Sequence, residues 1–147
     1  ERKSRVKDAQ ASVKAALDGG ILPGGGVALL RASTQVNVSD LEGDAHTGAR
    51  VLLDAIRAPF HQIVENAGGH GPVAAEKVLS EKSKTFGYDA ENDAYGDLLE
   101  HGVIDPFKVT STALQNAASV ATVLVSTNCL VTNVPDDDEG DGEEDLD

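Results

Sequence analysis

Residues 21–32 read Ile21-Leu22-Pro23-Gly24-Gly25-Gly26-Val27-Ala28-Leu29-Leu30-Arg31-Ala32. Three consecutive glycines after an apolar triplet predict a tight turn, because glycine alone reaches left-handed backbone conformations without steric cost. The apolar residues that follow predict a helix opening over 27–32. A glycine turn ahead of a helix lets backbone approach a ligand closely, and helix N-termini favour anionic groups. No Lys-Ser or Lys-Thr follows Gly24 at the spacing of a Walker A loop, so that phosphate-binding motif is excluded. Taken alone, the stretch is explained by a structural turn.

On the N-terminal side, Val6, Ala9, Val13, Ala16 and Leu17 recur at intervals of three and four. This predicts an amphipathic helix over 1–17 with its charges on the other face, ended by Gly19-Gly20. The chain opens on Glu1-Arg2-Lys3, inside that helical pattern and without an initiator Met; the expectation is a piece of a longer protein.

On the C-terminal side, residues 37–44 read as a polar loop. Leu52, Leu53, Ile56, Phe60, Ile63 and Val64 then mark one face of a long helix that Pro59 is expected to kink or divide. Gly68-Gly69-His70-Gly71 breaks the pattern, and Pro72 fits the first position of a helix over 73–79, where its missing amide hydrogen costs nothing. Residues 83–95 read as a short strand and loop. Asp105-Pro106 reads as N-cap and first residue of a helix through Ala113, Ala117, Val120, Ala121 and Leu124. A terminal strand is expected over 129–134. There is no internal repeat.

The formal charge of −13 is uneven: residues 136–147 hold nine of the 25 acids and no base. That tail repels itself and has almost nothing to bury, so disorder is expected there. The remaining sixteen acids and twelve bases leave no basic patch, and only five aromatic residues, Phe60, Phe86, Tyr88, Tyr95 and Phe107, are available to stack bases. Nucleic-acid binding is therefore not expected. A single cysteine, Cys129, excludes an internal disulfide framework and favours a reducing compartment. The longest apolar stretch, around 117–125, is too short to span a bilayer and contains Ser119 and Thr122.

Few residues carry an obvious chemical role by themselves. Asp8 shares its helix with Lys3, Arg5 and Lys7, and a solvated surface carboxylate explains it. Asp105 is explained as a helix cap, although a carboxylate there is also able to accept hydrogen bonds from sugar hydroxyls. His46, His61, His70 and His101 are too dispersed to define a metal site. The acidic tail lacks the ordered pattern of an EF-hand.

Several strings, in order, closely resemble the C-terminal region of group I chaperonins: Arg5-Val6-Lys7-Asp8-Ala9, Pro23-Gly24-Gly25-Gly26-Val27-Ala28-Leu29, Ala58-Pro59, Gly87-Tyr88-Asp89-Ala90, Tyr95-Gly96, Gly102-Val103-Ile104-Asp105-Pro106 and Lys108-Val109-Thr110. The likeness runs over about 2–135. It implies a mainly α fold with short β strands: residues 1–19 from the intermediate domain, 20–135 the C-terminal half of the equatorial domain, and 136–147 a disordered acidic tail.

The resemblance further implies an ATP-dependent folding cage. Its partners would be copies of itself in seven-membered rings, usually two stacked, a lid co-chaperonin and non-native client proteins, with no nucleic acid or membrane partner. The cofactors implied are ATP/ADP and Mg2+. The phosphate loop, the Mg2+ ligand and the apical domain lie, in that family, N-terminal to the region this chain resembles, so the isolated segment is expected to be inactive. The expected compartment is bacterial cytoplasm or an organelle interior.

Residue by residue, Asp8 matches the carboxylate that orients the attacking water, Gly25 a glycine bordering the nucleotide, and Asp105 the carboxylate that binds ribose. Asp89, Ala90 and Glu91 align with the segment beside adenine, where the family form is Asn-Ala-Ala. The Asp-Ala-Glu form shifts more of adenine recognition onto backbone. The many relatives ending in a Gly-Met-rich repeat also differ from this acidic terminus. The competing reading is a helical interaction domain in which the glycine turn and the aspartates are structural only.

Overall fold

The computed structural model describes residues 2–129, 131 and 132. The fold is mainly helical, with helices α1 (Arg2–Gly19), α2 (Val27–Ser33), α3 (Gly43–Asn66), α4 (Gly71–Ser80) and α5 (Phe107–Ser126). Strands β1 (Ile21–Pro23), β2 (Phe86–Asp89), β3 (Ala94–Asp97) and β4 (Ile104–Pro106) form two antiparallel pairs, β1 with β4 and β2 with β3. The chain divides into two units, Glu1–Ala113 and Leu114–Asp147, the second beginning inside α5.

The core of the first unit gathers Val27 and Leu30 from α2, Phe60 and Val64 from α3, Ala74, Ala75 and Val78 from α4, Tyr88 from β2, and Leu98. Each helix contributes residues three or four apart, so each buries one stripe. Small residues on α4 let it lie close to α3: a Cβ on Gly71 would stand 2.9 Å from the Cβ of His61. Helix α3 runs unbroken through Pro59. Proline removes one backbone donor there, and burial of Phe60 and Val64 on the next turn holds the helix together.

Arg31 fastens these elements. Its guanidinium donates to the carbonyl oxygens of Val78 (2.8 Å), Phe86 (3.0 Å) and Glu81 (3.2 Å), closing the C-terminal end of α4 and tying it to β2. Orphan carbonyls at a helix end need such donors. The Nε of Arg31 is buried with no partner among the described residues, and burial lowers the arginine's pKa from its ordinary value.

The β2–β3 hairpin is pinned by Tyr88 packing on Tyr95, ring centroids 5.1 Å apart, and by Lys77 Nζ lying 3.5 Å over the Tyr95 ring. Thr85 donates a hydrogen bond to the Asp97 carboxylate, which also accepts from the amides of Leu99 and Glu100. These bonds hold Asp97 below its ordinary pKa, the Thr85 contact contributing most.

Three expectations are corrected. Residues 21–23 and 104–106 form strands, and α5 starts at Phe107, so Asp105 and Pro106 are paired strand residues ahead of the helix. The apolar stripe of α1 buries nothing: Val6, Val13 and Leu17 are 60–83% exposed. Beyond α5, Cys129, Val131 and Thr132 carry no regular structure, and the rest of the expected terminal strand, like the acidic tail, lies outside the described residues. In the second unit, the α5 residues Val120, Val123, Leu124 and Val125 are exposed as well.

Candidate functional site

Strand β1 delivers the glycine turn and β4 holds it from the other side. Leu22 faces Asp105, Pro23 faces Ile104, and the Gly24 amide then donates to Val103 O at 2.9 Å. Space at 24 is tight: a Cβ would stand 3.2 Å from the backbone of Val103 and Ile104. Gly26, at φ 76°, is pressed against α3: a Cβ there would lie 2.8 Å from the Phe60 amide nitrogen. The middle glycine differs. At Gly25, φ 62°, a Cβ would meet only Tyr88 O, at an ordinary 3.5 Å. Its backbone needs glycine, but its surroundings leave space over the turn. Helix α2 behind the turn has seven residues and no side-chain cap, too short to make an anion site by its dipole alone.

The contact with Tyr88 places Gly25 beside the end of β2, where Asp89 begins the 89–92 turn. Asp89 is 2% exposed, and its two carboxylate oxygens are both engaged. Oδ1 accepts from the amides of Glu91 (3.0 Å) and Asn92 (3.3 Å); Oδ2 accepts from Asn92 Nδ2 (2.8 Å) and lies 3.3 Å from His101 Nδ1. A buried carboxylate survives only with such partners. The Asn92 amide above all, then the two backbone amides and the His101 charge, hold Asp89 below its ordinary pKa against the opposing effect of burial. Asp89 therefore builds the turn, leaving no side-chain acceptor free for a ligand. Ala90 packs against the core and Glu91 is exposed.

Asp105 presents the opposite case. It sits half-buried on β4, and burial alone raises its pKa; among the described residues no donor is paired with its carboxylate. Its acceptor capacity is unspent. Gly25, Asp105 and the 89–91 turn thus come together around the β1–β4 pair although they are spread over about 80 residues.

Asp8 stands apart from this cluster. It lies exposed near the middle of α1, eleven residues before Gly19 and so ~17 Å along the helix from it. The end of α1 is secured to the site's framework, since Phe107 N donates to Gly20 O at 3.0 Å. Among the described residues no group of three or more His, Cys, Asp or Glu is placed to hold a metal, and no helix is long and apolar enough to cross a membrane.

Sequence reasoning missed Asn92 and His101. An Asp is able to close a turn on the backbone amide two residues on, as Asp89 does with Glu91, but nothing in that local signal points to the Asn92 side chain. His101, twelve residues from Asp89, carries no such local signal.

A profile of the TCP-1/cpn60 chaperonin family matches residues 1–135. The chain belongs to that family. Among solved structures, this chaperonin chain is similar to a group III chaperonin in the open state, with 31% identity and a TM-score of 0.72. The match covers 80% of this chain and 25% of that one. The chain therefore spans about a quarter of the length of the solved chaperonin.

Proposed function

We propose that this segment supplies the adenine and ribose side of an ATP site in a group I chaperonin, a ring-forming ATPase that encloses non-native proteins under a lid co-chaperonin. The observation that carries the reading is the convergence of Gly25, the 89–91 turn and Asp105 around one strand pair, with Asp105 half-buried and its carboxylate unspent. The group I assignment rests on the ordered strings between Arg5 and Thr110; the solved relative is of group III.

In this reading Asp105 accepts hydrogen bonds from the ribose hydroxyls, which offsets the cost of its partial burial. Gly25 admits the nucleotide against backbone. The backbone of Ala90 and Glu91 meets the adenine edge, because Asp89 is committed to its turn. ATP, when bound, supplies the phosphoanhydride bond whose hydrolysis drives the ring. Asp8 orients the attacking water once α1 is brought over the site; positioning of this kind is the main contribution a protein makes to phosphoryl transfer. The phosphate-binding loop and the Mg2+ ligand are assigned to the part of the chaperonin outside this segment, and the segment by itself is inactive. Copies assemble in seven-membered rings, usually two stacked, in bacterial cytoplasm or an organelle interior.

The test is single-turnover ATP hydrolysis by the complete chaperonin carrying Asp8→Ala, with nucleotide binding measured separately. Retained binding with a chemical step slowed by orders of magnitude supports the reading. Unchanged hydrolysis removes Asp8 from the mechanism. Failure of the wild-type protein to bind ATP at all removes the nucleotide site and leaves the helical interaction domain.

A further inference from the structure

The ion pair between Asp89 and His101 is not used by the function just described, yet it joins the two halves of the site. Asp89 closes the turn beside Gly25, while His101 belongs to the 98–103 connection that delivers Val103 to Gly24 and Asp105 to β4. That connection is tightly built: His101 N donates to Asp97 O at 3.0 Å, Gly102 N to Leu99 O at 3.2 Å and Val103 N to Leu98 O at 2.8 Å. The imidazole also packs against the hairpin at Gly96. A Cβ on Gly96 would stand 2.7 Å from His101 Cε1 and 2.8 Å from Nε2, so the ring occupies the space a side chain at 96 would need. Asp89 from β2 meets the ring at Nδ1, and a charge on the ring lowers the pKa of Asp89 and, least among its causes, of Asp97 from β3.

An asparagine at position 89 would need no charge partner there. An aspartate does. With 2% exposure, its negative charge has three neutral hydrogen bonds and the His101 imidazole, whose Nδ1 stands 3.3 Å from Oδ2, and removing one partner of a buried charge is costly.

We propose that His101 is a positioning residue of the nucleotide site: its pairing with Asp89 makes an acid at position 89 compatible with the turn that flanks the ligand, and fixes that turn relative to the strand carrying Asp105. This rests on the nucleotide reading. It predicts an energetic coupling, since the need for His101 exists only while residue 89 is an acid. Asn at 89 keeps an Oδ1 acceptor for the Glu91 and Asn92 amides without burying a charge.

The experiment is equilibrium binding of ADP to the complete chaperonin at neutral pH, for wild type, His101→Ala, Asp89→Asn and the double variant, arranged as a double-mutant cycle. His101→Ala is expected to weaken ADP about threefold to tenfold, the scale of one lost charge-assisted contact. In the Asp89→Asn background the same substitution is expected to change affinity less than twofold. His101→Gln, which fills the space against Gly96 but carries no charge, serves if the alanine variant does not assemble; it too should weaken ADP only while residue 89 is Asp.

Equal affinity in wild type and both His101 variants overturns the proposal, as does a loss of the same size in the Asp89→Asn background, which would mean packing against Gly96 alone. Absence of ADP binding by the wild type sinks the nucleotide reading itself and is distinguishable from both.

Discussion

Gly26 and Phe60 touch through their backbones: a Cβ at Gly26 would lie 2.8 Å from the Phe60 nitrogen and 2.9 Å from its Cα. Neither neighbour is a flexible side-chain end, so the clash has no cheap relief. Gly26→Ala adds this overpacking to the strain of φ 76°, and is expected to destabilise the fold by about 2–4 kcal/mol, read from urea unfolding of the chaperonin subunit. Gly25→Ala meets no such obstacle and should cost about 1 kcal/mol from its backbone conformation alone. A larger loss at 25 than at 26 would contradict the packing described.

Arg31 is the second point of weakness. Replacing it with Met keeps much of the stem but leaves the Val78, Glu81 and Phe86 carbonyls without their donor, a cost of about 2–4 kcal/mol. Arg31→Lys is expected to recover little, because a single ammonium does not span three acceptors in the way a planar guanidinium fork does. Amide exchange along the last turn of α4 should accelerate in both variants.

The acid limb of stability has a defined sign. Asp89 and Asp97 have depressed pKa values in the folded protein. Their contribution is present above the ordinary carboxylate value of 3.8 and is lost as pH falls through the lower folded values. Thermal melts between about pH 2 and 5 should therefore show less acid sensitivity in Asp97→Asn than in wild type.

Asp105 runs the other way. Its pKa is raised, so the folded state holds the proton more tightly, and ionisation from 3.8 upward to the raised value costs stability. Without nucleotide, Asp105→Asn should melt higher than wild type at neutral pH and equally in strong acid. The same variant should bind ADP more weakly, the opposite movement expected where a group is kept for a ligand at the expense of the fold.

The helices were legible because their signals are local. Val27 and Leu30 or Phe60 and Val64 declare a face within one or two turns, and Pro72 marks the start of α4. Strands β1 and β4 were not legible: each has three residues, contains a proline, and is defined by a partner more than 80 residues away. The character of the site was hidden for another reason: the partners of Asp89 lie within twelve residues, but no sequence pattern announces His101 among them. From sequence, Asp105 reads as a helix cap and, by resemblance, a ribose carboxylate, and Asp89 as a departure beside adenine; the structure separates them by their partners, since only Asp89 finds Asn92, His101 and two amides. The apolar stripe of α1 misled because periodicity reports a face able to be buried, whereas within this segment nothing among the described residues covers Val6, Val13 or Leu17.

The β1–β4 pairing also fixes an order of assembly. Closing a loop of about 80 residues costs roughly 4 kcal/mol of chain entropy, more than three short residue pairs restore. The intervening α2–α4 core and the β2–β3 hairpin must form first to shorten the effective loop. The glycine turn is then completed last and opens first, so the Gly24 and Phe107 amides should exchange with solvent faster than those of α3 while the core stays closed.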